Sequence, residues 1–598
     1  MPYEAPTHAQ HAAAFPDDRG SELESAPLRG GLPPLPSASP LPAGGAWHAS
    51  PAPPSSLGDG EGGAVAAIPF ARQGGTWLQR RCDFCARLLR FSGPGVLVCV
   101  GYMDPGNWST GLRAGAGWGY AHLSVVLLSS LTGLFLQALA VRLGVAGKRD
   151  LAQACRDALP RPLALALWAS AELAMVATDL AEVVGFAVAL QLLTGAPAWA
   201  GVLLSTADTL LLFLLPARGG LRERAIEGLS LALVVVIVAS FGVLLGLAQP
   251  SGAAVAAGFA PSPALLQGEA TVVAVGILGA TVMPHNLYLH SAMVRLRRVG
   301  AGGGGEPPSQ QATAAAAATA AEVGKVREEE EEEGEGESVL GEGAALQRHA
   351  GAPAAAAAAE GASIHGAPGE CVGLNLRSSA VPLPPPAEDA AAAALEHAGT
   401  LQTIELGVWD AALSLTSAFA VNSAIVIVAG AALHGSVASG AVGLDEAASL
   451  GGAHTLLAPA LGRGSSALFA AALLASGQSS TFTGTMAGQV VMEGFLHLRL
   501  APWLRRLATR GLAIGPAALV AVLAGDAGLN QLLVASQVVL SLQLPFAMVP
   551  LVAFASSRER LGPYAVGRGV AGVGWAVCAA VLALNAFMLV QVLGPLAG

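Results

Sequence analysis

Two polar segments interrupt apolar stretches of this 598-residue chain, and both carry side chains suited to holding a metal ion. The first reads Asp-Pro-Gly-Asn at residues 104–107, and the second reads Met-Pro-His at residues 283–285. A carboxylate in the middle of an apolar span is costly, so by default it marks the path of an ion or a substrate. The two segments are therefore the first candidates for a functional site.

Both segments also contain helix breakers. Pro105 and Pro284 each remove a backbone donor and clash with the preceding turn, and Gly106 tolerates unusual dihedral angles. Unwound backbone at membrane depth is tolerated only where it is buried in protein or lines a wet cavity, and its freed carbonyls can coordinate a cation. A matched pair of interrupted spans in the two halves of a membrane protein points to a transporter site.

The side-chain types predict which metal would bind. Asp104 supplies a hard anionic oxygen, Asn107 a neutral oxygen and Met283 a soft thioether. Oxygen ligands alone suit Mg²⁺ or Ca²⁺, whereas a thioether favours softer transition metals. We therefore expect Mn²⁺ or Fe²⁺ as the transported substrate. The alternatives are a gap-filling core methionine at 283 and a helix-capping or paired buried acid at 104.

A second group of titratable residues could move protons. Glu172, Asp179 and Glu182 lie in one predicted span at spacings that place them on one helical face. His285 follows the second break, and histidine as a residue type titrates near neutral pH. Intramembrane acids and histidines commonly form proton relays, and a dication beside Asp104 favours release of its proton. Structural ion pairs are the alternative for the three acids.

The composition indicates a polytopic α-helical membrane protein. Hydrophobic residues make up 53% of the chain and charged residues only 12%, and the mean hydropathy is +0.57. No phosphate loop or nucleophile elbow is present, so neither an enzyme nor an ATP-driven pump is expected. No resident cofactor, nucleic-acid partner or obligatory protein partner is expected either; the partners are metal ions, protons and the lipid bilayer. A lone Cys-x-x-Cys at residues 82–85 is not expected to bind metal.

Apolar runs long enough to cross a bilayer recur along the chain. We predict about eleven spans, near residues 93–114, 119–143, 163–192, 198–216, 225–248, 270–294, 405–433, 465–495, 511–525, 529–555 and 570–594.

Lys and Arg cluster in alternate loops, which predicts a cytosolic N-terminus. The opposite loops contain only Arg113 and Arg463. Arg505 and Arg506 are interpreted as cytosolic anchors, with counter-charges for the acidic residues as the alternative.

Two segments outside the spans have low sequence complexity. We predict a disordered cytosolic tail over residues 1–90 and a disordered cytosolic loop over residues 300–400, which contains the acidic block 328–333. The loop separates two membrane regions, 91–299 and 401–598. The first would hold one repeat and the first helix of the second; the remaining helices would follow the loop.

Several motifs resemble those of one known family. The segments 104–107 and 283–291, together with Thr-Asp-Leu-Ala-Glu-Val-Val-Gly at 178–185, are similar to signatures of the Nramp (natural resistance-associated macrophage protein) family. Residues 477–488 and 536–546 resemble later spans of the same family. The resemblance covers about residues 90–595 without the inserted loop.

The resemblance implies an all-α, LeuT-type fold, with two inverted five-helix repeats plus one extra helix, and proton-coupled transport of divalent metals. It implies that Asp104, Asn107 and Met283 are side-chain ligands. The carbonyls of Gly101 and Ala280 would contribute at different stages. Gln537 would approach the metal in an outward-occluded form. The resemblance also assigns a proton pathway to the region of Asp179 and Glu182.

We therefore expect a proton-coupled secondary transporter, a symporter, that moves Mn²⁺ or Fe²⁺ towards the cytosol by alternating access. Two alternatives stay open: a transport-inactive metal sensor on the same fold, and a transporter of Mg²⁺ or Al³⁺. The plasma membrane and an endosomal or vacuolar membrane are equally compatible with the sequence. Import into the cell and export from an organelle both deliver metal to the cytosol.

Overall fold

A computed structural model of the chain describes residues 76–213, 221–297, 387–498 and 502–597, and within these ranges every regular element is a helix. The α-helices before the inserted loop are α1 (Trp77–Phe91), α2 (Pro94–Gly101), α3 (Pro105–Trp118), α4 (Leu123–Ala146), α5 (Leu151–Ala158), α6 (Arg161–Thr194), α7 (Ala198–Phe213), α8 (Leu221–Ala248), α9 (Gly252–Gly258), α10 (Glu269–Thr281) and α11 (Pro284–Met293).

The α-helices after the loop are α12 (Ala387–Ala432), α13 (His434–Ala438), α14 (Leu444–Ala447), α15 (Leu450–Leu461), α16 (Arg463–Leu496), α17 (Pro502–Leu523), α18 (Gly525–Ala555), α19 (Arg558–Leu561) and α20 (Arg568–Ala597). Short 3₁₀ helices cover Pro263–Leu266, Val294–Leu296 and Gly562–Tyr564.

Each predicted span corresponds to a long helix or to a broken helical pair. Within the described ranges, seven helical spans are long and apolar enough to cross a bilayer, or eight if α1 and α2, bent by 63°, count as one. Four predicted spans fall outside the seven: the α2–α3 pair, α7, α16 and α17. The pair consists of two short half-helices, and α16 carries many Ser, Thr and Gln residues that lower its hydropathy.

The two predicted breaks occur where the sequence places the prolines. Residues 102–104 separate α2 from α3, and residues 282–283 separate α10 from α11. Pro105 and Pro284 each occupy the first turn of the second half-helix, where a missing N–H costs nothing. The breaks open two series of five spans, α2/α3 to α8 and α10/α11 to α18, and α20 is the additional helix.

The structure corrects the predicted edges of the tail and the loop. Helix α1 lies inside the tail predicted as disordered over residues 1–90, because Thr76 and Gln79 form a capping box and Phe84 and Phe91 pack against α12. Helix α12 already begins at Ala387, inside the loop predicted over 300–400, because that stretch is rich in strong helix formers. Residues 1–75 and 298–386, with the acidic block, lie outside the described residues.

An aromatic cluster fixes the helix that follows the first break. Trp108 on α3 is fully buried, with ring centroids 4.8 Å from Phe241 on α8 and 5.3 Å from Phe469 on α16. Its indole Nε1 donates to the carbonyl oxygen of Met103 at 3.1 Å. The unwound residues are thus held by their own helix, so the ligands next to them have defined positions.

Candidate metal site

Asp104 is positioned as the N-cap of α3. Its Oδ1 accepts hydrogen bonds from the backbone nitrogen of Asn107 at 3.0 Å and from Asn107 Nδ2 at 2.7 Å. The positive end of the helix dipole and these two donors stabilise a carboxylate at this position. The capping role and the ligand role therefore do not exclude each other, because capping uses only one of the two carboxylate oxygens.

Asn107 connects the two breaks. Its Nδ2 also donates to the carbonyl oxygen of Ala280 in the last turn of α10, at 2.9 Å. The side-chain oxygen of Asn107 is not needed for any of these bonds. One amide thus links three of the predicted ligands, Asp104, Asn107 and Ala280, across helices that are 173 residues apart in sequence.

The site is closed to solvent and contains polar atoms that need a ligand. Asp104, Met283 and Gln537 are 0% exposed and Asn107 is 5% exposed. Asp104 Oδ2 and Gln537 Oε1 are buried without a hydrogen-bond partner among the described residues. A buried polar atom left without a partner costs about 1–3 kcal/mol. An oxygen-binding cation between the breaks would satisfy such atoms, so the residues fit a divalent metal as substrate.

Two glycines allow close approach at the breaks. A Cβ atom on Gly106 would lie 1.9 Å from Gln537 Nε2, so the amide of Gln537 on α18 rests directly on the start of α3. A Cβ atom on Gly101 would lie 2.6 Å from Asn286 Nδ2, on α11. The structure therefore brings Gln537 to the first break and joins the end of α2 to the second half of the other broken span.

Met283 is the N-cap residue of α11 and is fully buried. It shares a hydrophobic cluster with Ala174 and Ala177 on α6 and Leu540 on α18. This environment agrees with the alternative of a core methionine as well as with a ligand at the edge of the site. Within the described ranges no three His, Cys, Asp or Glu side chains form a metal-binding group, so a site here must use the mixed donors of the breaks.

The predicted proton-pathway residues line up along α6. Glu182 is fully buried and accepts from Arg510 Nη1 at 2.9 Å and from the Thr481 hydroxyl at 3.3 Å. Glu172, ten residues earlier, pairs with Arg505 at 3.0 Å. Both arginines lie on α17, so the acids on α6 face a neighbouring helix with matching positive charges.

Asp179 and His285 complete this row next to the second break. Asp179 is 0% exposed and lies one turn before Glu182 on α6. His285 is 1% exposed, and its Nδ1 lies 3.4 Å from the hydroxyl of Thr178. The structure therefore brings His285 to the residue preceding Asp179, at a point of α6 between Glu172 and Glu182.

Sequence reasoning missed the role of Arg510, the residue just before the predicted span 511–525. It is 1% exposed, inside α17. Arg505 is 5% exposed and pairs with Glu172, which favours the counter-charge alternative for Arg505 over the cytosolic anchor. Three acids in one apolar span require nearby positive charges. Arg510 at the edge of an apolar run was the signal that could have identified one of them.

A second buried polar chain was also missed. Gln137 on α4 donates from Nε2 to the Tyr102 hydroxyl at 3.0 Å, and its Oε1 lies 2.8 Å from His290 Nδ1. All three side chains are at most 2% exposed. The chain joins the first break to α11, so the two broken spans are connected both at the site and away from it.

The amino-acid sequence matches the profile of the family described as natural resistance-associated macrophage protein-like (Nramp) over residues 95–323 and 390–591. A divalent metal cation transporter, MntH, of Xanthomonas campestris is 39% identical over 543 residues, which cover 90% of this chain and 97% of that protein. A protein of the same name from Brucella suis is 40% identical over 501 residues, covering 83% of this chain and 87% of the relative.

Solved structures give the same answer for the fold. A manganese transporter of Eremococcus coleocola superposes with a TM-score of 0.63 at 31% identity, covering 89% of this chain and 91% of that one. The similarity confirms the predicted all-α architecture of a multi-pass membrane protein. These relatives are named as transporters, which agrees with the expectation that the chain is not an enzyme. As the resemblance of its motifs predicted, the chain belongs to the Nramp family.

Proposed function

We propose that this protein is a proton-coupled secondary transporter that moves Mn²⁺ or Fe²⁺ towards the cytosol by alternating access. The observation that carries the proposal is the bond from Asn107 to Ala280, which joins the two breaks beside an unpartnered oxygen of Asp104. Relatives named as divalent metal and manganese transporters support a transition metal as the substrate.

Binding would use Asp104 and Asn107 as oxygen ligands, Met283 as a soft ligand, and the carbonyls of Gly101 and Ala280 at different stages. Gln537 would contribute in the state that is closed on both sides, because its amide rests on Gly106. The thioether would favour Mn²⁺ and Fe²⁺ over Ca²⁺ and Mg²⁺, since the harder ions gain little from sulfur.

Proton coupling would follow from the charge of the substrate. A dication beside Asp104 favours its ionised form, and the released proton needs acceptors. The contact of His285 with Thr178, beside Asp179 and one turn from Glu182 on α6, supports this route, and Glu172 would extend it. Arg510 and Arg505 would compensate the negative charges of the two glutamates.

The test is uptake by purified protein in sealed proteoliposomes, measured for Mn²⁺, Fe²⁺, Mg²⁺ and Ca²⁺ with and without an imposed pH gradient. We expect uptake of Mn²⁺ and Fe²⁺ that accelerates when the side from which the metal is taken up is acidic, and little uptake of Ca²⁺. Metal flux that does not respond when the gradient is reversed would refute proton coupling. No flux of any transition metal would refute transport and favour a sensor.

A further inference from the structure

One arginine at the far end of α3 joins three elements that are distant in sequence. Arg113 Nη1 lies 2.6 Å from Asp445 Oδ1, and Arg113 Nη2 lies 3.1 Å from Glu269 Oε2. Glu269 is the first residue of α10, and Asp445 belongs to α14. The arginine side chain is only 15% exposed, whereas the two acidic side chains are 67% and 68% exposed.

The position of this cluster relative to the site is set by the two half-helices. Helix α3 begins at Pro105, next to Asp104, and reaches Arg113 after about 12 Å at ~1.5 Å per residue. Helix α10 begins at Glu269 and reaches Ala280 after about 16 Å by the same rise. The guanidinium therefore ties together the ends of both half-helices that lie away from the metal site.

The cluster lies on the side opposite the basic loops. Arg113 and the loop that holds α14 fall on the side that the distribution of Lys and Arg predicts to be non-cytosolic. Because the site residues are at most 5% exposed, an ion from this side can reach them only after the outer half-helices move. Such a movement would separate α3 or α10 from α14 and would therefore break ion pairs of Arg113.

We propose that Arg113 is a gating residue that holds the outer halves of the two broken spans closed over the metal site. It does so through Glu269 and Asp445, and it releases them when the outer path opens. The inference rests on the proposed function, since a gate needs a transported ion. Partly exposed ion pairs are weak, so they can break in every transport cycle. A tenfold change in the ratio of closed to open protein requires only about 1.4 kcal/mol, so weak ion pairs are enough to bias this equilibrium.

Arg113→Gln should move the population towards the outward-open state. The apparent affinity for an ion arriving from that side rises with the fraction of open protein, so the KM for Mn²⁺ should fall several-fold. Arg113→Lys keeps the charge and should change KM less. The charge-swapped pair Arg113→Glu with Asp445→Arg should restore the wild-type KM more closely than either single change. An unchanged KM in Arg113→Gln would overturn the proposal.

A cross-linking experiment tests the movement directly. In a background with all native cysteines replaced by serine and Mn²⁺ uptake retained, Arg113→Cys and Asp445→Cys are combined and treated with a cleavable bifunctional thiol reagent. Cross-linking should abolish uptake, and reduction should restore it, whereas each single cysteine should tolerate the reagent. Uptake that persists in protein shown by mass spectrometry to be cross-linked would overturn the gate. If the cysteine-free protein does not transport Mn²⁺ although the wild type does, the experiment is repeated in a background that keeps the buried native cysteines.

Discussion

Arg510 donates from Nη1 to Glu182 Oε2 at 2.9 Å, and the two side chains are 1% and 0% exposed. The pair joins α17 to α6 in the middle of the protein, and Thr481 on α16 contacts both members. Two charges are tolerated at this depth only when each compensates the other. The ion pair with Arg510 therefore fixes the position of Glu182, the same glutamate that we propose for proton transfer.

Arg510→Ala should destabilise the protein severely, because it leaves Glu182 as an uncompensated buried charge. Breaking such a pair costs about 3–5 kcal/mol. The measurement is the thermal transition of purified protein in detergent. The double variant Arg510→Met with Glu182→Gln should be more stable than Arg510→Ala, and equal losses in both would show that the charge balance is not the cause.

Asp104→Asn should nearly abolish Mn²⁺ uptake while the protein stays folded. Asparagine can still cap α3, but it lacks the charge and keeps only one oxygen. We expect a fall of about 100-fold, which corresponds to ~2.8 kcal/mol of lost ion binding. Uptake into proteoliposomes and the thermal transition are measured together. Glu405→Gln, at an exposed position of α12, is the control and should transport normally. Retained uptake in Asp104→Asn would move the site elsewhere.

Met283→Ala should reduce the preference for Mn²⁺ over Ca²⁺ by about tenfold, or ~1.4 kcal/mol. The soft ligand is lost while the oxygen ligands remain. The measurement is inhibition of Mn²⁺ uptake by Ca²⁺. Met548→Ala is a matched control, because Met548 on α18 is also 0% exposed but packs in another hydrophobic cluster. A cavity at Met548 should lower stability without changing selectivity. Equal selectivity in both variants would support the core-methionine alternative for Met283.

Gly106→Ala should lower uptake by displacing Gln537, since the new methyl group would lie 1.9 Å from Gln537 Nε2. If displacement of this amide is the whole effect, the double variant Gly106→Ala with Gln537→Ala should transport as well as Gln537→Ala alone. Gly242→Ala on α8 is the control, because nothing lies within 4 Å of its Cβ position. A double variant with much lower uptake than Gln537→Ala would show that α3 itself is disturbed.

Cysteine labelling tests the proposed orientation. Cys82 and Cys85 on α1 are exposed, whereas the other three cysteines within the described ranges are buried. In a Cys371→Ser background, the protein is expressed at the cell surface. An impermeant maleimide should then label Cys82 and Cys85 only after the cells are permeabilised. An added Ser439→Cys, exposed next to α13, should react without it. The reverse pattern would invert the topology.

The sequence determined where the two spans break because the effects involved are local. Pro105 and Pro284 disfavour continuation of the preceding helix and occupy the first turn of the half-helix that follows, and Asp104 caps α3. The motifs at residues 104–107 and 283–291 were specific enough to indicate the family before the comparison confirmed it.

Only the tertiary structure decided which residues meet. Arg510 and Arg505 carry the same charge as loop arginines, and nothing local distinguishes a buried partner of Glu182 or Glu172 from an anchor at the membrane surface. The bridge from Arg113 to Glu269 and Asp445, and the contact of Gln537 with Gly106, depend on helices separated by more than 150 residues. Such contacts arise from the packing of whole spans against each other, and a local sequence pattern does not encode this packing.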